Sequence, residues 1–241
     1  MSIGVGVIGA GVVGGGVVRT LVSNRDVIKD KSGMDVALVH VADARPDLFK
    51  DFDLTGITTS TDAKALVADP NVNVVCELIG GINPAKSFIL AALDAKKNVV
   101  TANKMLLAHH GPELCAAAIK NGVELRYEAA VAGGIPIIKA LREGLAANRI
   151  AFVCGILNGT CNYILTKMAD EGRSFSDVLK EAQALGYAEA DPTFDIEGVD
   201  AAHKATLLSA IAFGVPVQFD KAHVEGITKL QAADIRYAEQ L

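Results

Sequence analysis

The stretch Ile3-Gly-Val-Gly-Val-Ile8, followed by Gly9-Ala10-Gly11-Val12-Val13-Gly14, decides the fold. Its first six residues read as a strand rich in β-branched side chains, and the spacing from the glycines to about Val22 reads as a helix. A G-x-G-x-x-G run placed between a strand and a helix, at the very start of a chain, is the context in which the motif is a dinucleotide fingerprint and not merely a glycine-rich turn. Gly9 makes the tight turn, Gly11 lets the backbone approach a pyrophosphate, and Gly14 allows the helix to pack closely on the strand. The helix start, at Val12 and Val13, offers its N–H groups and positive dipole end to phosphates. Residues 1–18 carry no charge, as a signal peptide or membrane span would, but seven of them are glycine, no basic segment precedes them and Arg19 follows at once. The strand–turn–helix reading accounts for all of this.

Working outward, residues 36–41 read as a second strand, ending in Ala-Asp43-Ala-Arg45. An acid at this strand end takes the adenosine ribose hydroxyls and favours NAD, whereas an arginine just beyond holds a 2′-phosphate. Both are present; Asp43 is the expected ribose ligand, and the choice between NAD and NADP stays open. The link over residues 23–35 is longer than the minimal unit, so the acid arrives late. Residues 72–76 read as a buried strand, Glu77-Leu-Ile-Gly-Gly81 as the turn leaving it, 84–95 as a helix and 98–101 as a strand. Thr101-Ala-Asn103-Lys104 then falls at the carboxyl end of that strand, where open α/β sheets bind ligands. Lys104 is either a solvated loop lysine or a ligand contact. A helix over 112–120 and a strand over 123–127 complete a βαβ series, so residues 1–130 are expected to form a doubly wound α/β (Rossmann) dinucleotide-binding domain.

The remainder, residues 131–241, changes character. Ala132-Gly133-Gly134-Ile135-Pro136 reads as a turn into a helix of about ten residues, and 150–157 as a strand. Asn158-Gly159-Thr160 then caps a helix starting near Cys161, either as plain turn chemistry or as a second anion-holding helix start. Helices follow over 175–185 and 199–213. Between them, residues 186–204 hold five carboxylates ahead of one lysine: Glu189, Asp191, Asp195, Glu197 and Asp200, then Lys204. Pro192 and Gly198 break this segment into a loop. Asp200 and Lys204, four apart, share a helix face with Leu208 and Ile211, which are core-type residues. An ordinary exposed salt bridge competes here with a partly buried lysine able to carry a proton.

Composition narrows the classes. The 241 residues are 51% hydrophobic with a net charge of −5 and no basic cluster, which argues against nucleic acid as a partner. Cys76, Cys115, Cys154 and Cys161 have no zinc or C-x-x-C spacing and read as reduced thiols of a cytoplasmic protein. No linker, repeat or low-complexity segment is present.

These motifs together resemble one family, homoserine dehydrogenase. The likeness rests on the fingerprint of residues 9–14, on Glu77-Leu-Ile-Gly-Gly81, on Thr101-Ala-Asn-Lys104 and on Glu128-Ala-Ala-Val131-Ala-Gly133-Gly-Ile135-Pro-Ile137. It continues through Gly155-Ile-Leu-Asn-Gly-Thr160 and residues 186–204, covering essentially the whole chain. The resemblance implies NAD(P)-dependent interconversion of L-homoserine and L-aspartate 4-semialdehyde in threonine, methionine and isoleucine biosynthesis. It implies Lys204 as general acid/base beside Asp200, and Lys104 near substrate and nicotinamide. Glu189, Asp195, Thr160 and Gly159 would lie around the amino acid, and backbone carbonyls of Glu128, Val131, Gly133 and Ile135 would hold a monovalent cation such as sodium. The second domain would be an α+β substrate and dimerisation domain. In the family it continues beyond residue 241, so this chain is expected to be a C-terminally truncated member, or an unusually short one, with a homodimer expected when complete.

The residues suit that chemistry on their own account. Oxidising an alcohol with a nicotinamide moves a hydride while the hydroxyl proton goes to a base. Acids such as Glu189 and Asp195 suit a substrate with an ammonium group. A thiol-dependent aldehyde dehydrogenase is the first competitor, but it needs a nucleophilic cysteine beside a base, and no cysteine here lies in such a motif. A non-catalytic dinucleotide sensor is the second, and it would have no use for Lys204 and its acids.

Overall fold

The computed structural model describes residues 2–238 and Gln240. The chain divides into two compact units, Met1–Leu145 and Ala146–Leu241.

The first unit is built on six strands: β1 (Ser2–Ile8), β2 (Asp35–Ala42), β3 (Thr58–Ser60), β4 (Val74–Glu77), β5 (Asn98–Thr101) and β6 (Leu125–Arg126). They lie in the order β3-β2-β1-β4-β5-β6 and every neighbouring pair is parallel. Strands covered on both faces read as continuous apolar runs, and Val5, Val7, Val41, Val75 and Val99 are all buried. The helices are α1 (Val12–Ser23), α2 (Arg25–Ser32), α3 (Ala63–Ala68), α4 (Ala85–Asp94) and α5 (Lys104–Asn121), with a short α6 (Ile137–Lys139) near the end of the unit. β1 has β2 on one side and β4 on the other. The chain therefore winds outward in opposite directions from this pair, which makes the carboxyl ends of β1 and β4 the switch point of the sheet.

Most of the expected strands and helices of this unit are present, with several differences. The long link before β2 contains α2, closed by Gly33 in the left-handed region at φ 72°; this helix is why Asp43 comes late. β3 and α3 lie in a segment given no element from sequence. The helix expected to begin at Pro112 begins at Lys104, because the Asn103 side chain accepts the Leu106 N–H and so supplies the true cap. Pro112 sits inside α5, where its missing N–H leaves the Ala108 carbonyl without a helical donor.

In the second unit the described residues form α7 (Gly159–Glu171), α8 (Phe175–Ala184), α9 (Thr193–Ile196), α10 (Val199–Phe213) and α11 (Ala232–Ala238). The core joins Ile164 and Met168 of α7, Val178 and Ala182 of α8, then Ala188 and Ile196. The α7 and α8 pairs are each four apart, so one stripe of each of these helices faces inward. Fully burying an Ile or Met side chain stabilises by about 1.5–3 kcal/mol. Gly172 ends α7 at φ 64°, and Ser174 caps α8 by accepting the Asp177 N–H. The strand expected over residues 150–157 is not formed. This segment has no regular structure and is mostly exposed, and it pairs with no strand among the described residues. A run of apolar residues gives only the potential for a strand; the ladder partner has to come from elsewhere. The helix expected after Pro136 is also shorter, α6 passing into a π-turn over Ala140–Gly144.

Candidate functional site

The crevice of the first unit is made largely by backbone. At the end of β1 the chain turns through Gly9, whose φ of 96° lies in the left-handed region. A Cβ at Gly14 would lie 1.7 Å from the Gly9 carbonyl oxygen, so α1 packs on the turn only because glycine stands there. Gly11 differs: a Cβ there would meet nothing closer than Arg45 Nη2 at 3.7 Å. The fold does not need that glycine, and its bare backbone keeps the crevice clear. α1 starts after Gly11 without a side-chain cap or an acidic residue in its first turn, so its N–H groups and dipole are left for an anion. Val12, 92% exposed, and Val13 rim a cavity of about 650 Å³ that reaches Asp43, Arg45, Ile79 and Phe88.

Asp43 follows β2 directly and is buried. Its Oδ2 accepts the Ala10 N–H at 2.7 Å, and its Oδ1 accepts the Arg45 N–H at 2.9 Å and Nε at 3.2 Å. Burial pushes this carboxyl up, but the Arg45 guanidinium and the two backbone N–H groups outweigh it and hold it below the usual carboxylate range. Asp43 thus braces the glycine turn and orients Arg45, whose own side chain is 64% exposed at the crevice.

Thr101 and Asn103 belong to a buried network at the ends of β4 and β5. Glu77, fully buried, accepts the Thr101 hydroxyl at 2.8 Å and the Ile79 N–H at 2.9 Å. Thr101 Oγ1 accepts the Asn103 N–H at 3.0 Å, and Asn103 Nδ2 donates to the Gly81 carbonyl at 2.5 Å. The loops after β4 and β5 are thereby tied together, and Lys104 begins α5 directly beyond the tie, half-buried. Glu128 accepts the Ile138 and Lys139 N–H groups, each at 2.9 Å, so its carboxylate is tied to the start of α6. Val131 is buried, Gly133 and Ile135 are exposed. Among the described residues no group of three His, Cys, Asp or Glu is arranged to hold a metal ion.

The second unit holds a cluster made by side chains. Lys204 Nζ donates to Asp200 Oδ2 at 2.6 Å and to the Leu157 carbonyl at 2.8 Å. The Asp200 side chain is 4% exposed and that of Lys204 20%, which rules out the exposed-salt-bridge reading. An ammonium has three N–H donors, and the described residues take two of these. Asn158 Nδ2 donates both to Asp200 Oδ2 at 2.8 Å and to Asp195 Oδ1 at 2.7 Å. Thr160 Oγ1 donates to the Tyr187 carbonyl at 2.9 Å, pinning the acid-rich loop to the start of α7, while Gly159 is exposed in its first turn. Glu189 stands apart: its carboxylate is on the exposed loop, and only its carbonyl is engaged, by Gln183 Nε2 at 3.1 Å.

Cys161 closes one side of this cluster, its Sγ donating to the Asp195 carbonyl at 3.2 Å. Burial, then the charges of Asp195 and Asp200, push its thiol up to about 11, and burial does the same for Cys76. A thiolate nucleophile is disfavoured at both positions. Asn158 and the Leu157 carbonyl were missed as parts of the cluster by sequence reasoning, as was Glu77 as the hub of the other network. Glu77 left a signal as an acid ending an otherwise apolar strand, and Asn158 only as a helix cap.

The switch-point crevice and the buried lysine–carboxylate cluster define a dinucleotide-binding α/β protein with a polar site of its own in the second unit. Residues 9–128 match the NAD binding domain of homoserine dehydrogenase and residues 136–241 match homoserine dehydrogenase itself. The homoserine dehydrogenase of Pseudomonas aeruginosa is 53% identical over 98% of this chain and 54% of its own length. The crystal structure of a homoserine dehydrogenase from Thiobacillus denitrificans, 53% identical, superposes with a TM-score of 0.93 over the whole chain and 56% of that protein. A hyperthermophilic archaeal homoserine dehydrogenase mutant in complex with NADPH is 27% identical, with a TM-score of 0.78 over 97% of this chain and 76% of its own. The chain belongs to the homoserine dehydrogenase family. It spans about half the length of the bacterial relatives it matches.

Proposed function

We propose that the chain carries the dinucleotide-binding unit and the catalytic cluster of an NAD(P)-dependent homoserine dehydrogenase. L-homoserine and NAD(P)⁺ are interconverted with L-aspartate 4-semialdehyde, NAD(P)H and a proton. The observation that carries the reading is the part-buried Lys204 ammonium, held on the Asp200 carboxylate and the Leu157 carbonyl with one donor direction to spare.

The uncapped start of α1 over Gly11 suits a pyrophosphate, and the archaeal relative's complex with NADPH supports the cofactor class. The nicotinamide, when bound, accepts or supplies the hydride. As the neutral amine, Lys204 Nζ takes the hydroxyl proton in the oxidising direction, and as the ammonium it returns that proton to the aldehyde oxygen in the reducing one. Asp200 holds that nitrogen in place, and Asp195 and Glu189 receive the substrate's ammonium group. Lys104, starting α5 at the carboxyl end of β5, and Thr160 complete the substrate contacts. Asp43 takes the adenosine ribose hydroxyls, and the exposed Arg45 guanidinium holds a 2′-phosphate where one is present. A sodium ion on the carbonyls of Glu128, Val131, Gly133 and Ile135, a homodimer and a cytoplasmic location belong to the same proposal. The four free thiols support the last of these, and no helix among the described residues is long and apolar enough to cross a membrane.

An acyl-enzyme route through Cys161 is disfavoured by its raised pKa. The deciding assay follows reduced-nicotinamide absorbance with L-homoserine and either cofactor. Homoserine-dependent reduction is expected; cofactor binding with no such signal would leave a dinucleotide sensor.

A further inference from the structure

Both acceptors of Lys204 are tied to one residue, Asn158. The Asn158 Oδ1 accepts the Cys161 N–H at 2.8 Å, which caps α7 and fixes which end of the amide is oxygen. Both N–H groups of Nδ2 then go to carboxylates, Asp195 at 2.7 Å and Asp200 at 2.8 Å. The Leu157 carbonyl, the second acceptor of Lys204, is bonded to Asn158 through the peptide link. Asn158 is itself buried.

Helix capping does not explain this choice of residue. Serine and aspartate cap a helix about as well as asparagine. Serine has no second donor, and aspartate would add a third carboxylate beside two. A lysine or arginine would hold both acids but would bring a charge that competes with Lys204 and with a substrate ammonium for them. Only a primary amide satisfies the helix and both acids without adding charge.

We propose that Asn158 is a positioning residue: a neutral double donor that holds Asp195 and Asp200 in fixed register, so that Asp200 presents the Lys204 ammonium in one place. This rests on Lys204 being the proton carrier. Asn158 touches neither reactant and acts through the two acids.

Asn158→Ser and Asn158→Asp keep the cap and remove the double donation. With the protein shown to turn over homoserine, Asn158→Ser is expected to lower kcat by about 10²-fold, the cost of displacing a reacting group by roughly 1 Å. It should raise the KM for homoserine and leave the KM for the dinucleotide within twofold of the unmodified protein. Asn158→Asp tests the donor itself. As pH falls, a proton taken up among the three carboxyls restores an O–H donor, so its kcat relative to the unmodified protein should rise. A merely structural role would lower both substrates' kinetics together, or only the melting temperature, and would give no such pH-dependent ratio. A folded Asn158→Ser protein with kcat and homoserine KM within twofold of the original overturns the proposal while the activity stands. Should Asn158→Ser fail to fold, a pH-independent kcat ratio for Asn158→Asp overturns it instead. A protein with no homoserine turnover overturns the functional reading and this role with it.

Discussion

The crevice of the first unit and the cluster of the second are both polar sites on largely apolar scaffolds, but they are made of different material. The crevice relies on main chain: a left-handed Gly9, a packing Gly14, a bare Gly11 and the unpaired N–H groups of α1. The cluster relies on side chains: an ammonium, two carboxylates and an amide, each holding the next within 2.8 Å. A main-chain site is lost when a side chain is added to it. A side-chain site is lost when one is taken away, because a buried charge is left without its partner.

Adding side chains should therefore break the first unit in two distinct ways. Gly14→Ala is expected to have the largest effect on the fold, on the order of 3 kcal/mol or more, because its Cβ would lie 1.7 Å from a backbone oxygen that cannot swing aside. A melting temperature near that of the original would show that α1 packs differently on the turn. Gly11→Val should melt normally, since nothing lies within 3.7 Å of that Cβ, yet lose dinucleotide binding by titration calorimetry. Unchanged affinity in that variant would put the phosphates somewhere else.

Smaller effects sharpen the contrast where the crevice does use side chains. Asp43→Ala should weaken NAD more than NADP and Arg45→Ala NADP more than NAD, each by up to about tenfold, the worth of one charge-assisted hydrogen bond of roughly 1.4 kcal/mol. Equal losses for both cofactors would mean that neither residue reads the ribose. Asp43 also carries a pH signature. Its folded pKa is depressed, so its contribution to stability is present above the unfolded value of about 3.9 and is lost as pH falls through the lower folded value. The difference in melting temperature between the original and Asp43→Asn should be present at neutral pH and fade below about pH 4. A difference that persists unchanged into acid would assign the effect to shape and not to charge.

The same contrast explains what could be read from sequence. Glycines are sparse, conformationally special letters, so Gly9, Gly11 and Gly14 announced both a strand–helix turn and its ligand. The alternation of apolar strands and helices placed Asp43, Thr101 and Lys104 at strand ends. The i, i+4 spacing placed Asp200 against Lys204, but not its depth, which depends on how α10 packs. Asn158 was visible as a cap, yet its second function comes from contacts 37 and 42 residues away, and no local pattern encodes these. The segment over 150–157 failed for a related reason: a strand is a property of a pair, and one sequence segment supplies only half of it. Glu189 is exposed on the loop between α8 and α9, so its proposed contact with the substrate's ammonium group rests on the motif and not on a bond within the cluster.

The central claim is that proton transfer resides in Lys204 and dinucleotide binding in the other unit, and one variant measured twice tests it. Lys204→Ala should lower turnover by about 10²–10⁴-fold, the usual worth of a positioned acid/base, while dinucleotide affinity stays within twofold. Lys204→Arg keeps a cation for Asp200 but does not release its proton at working pH, so it should restore melting temperature without restoring turnover. A folded Lys204→Ala protein with near-normal turnover would contradict the account.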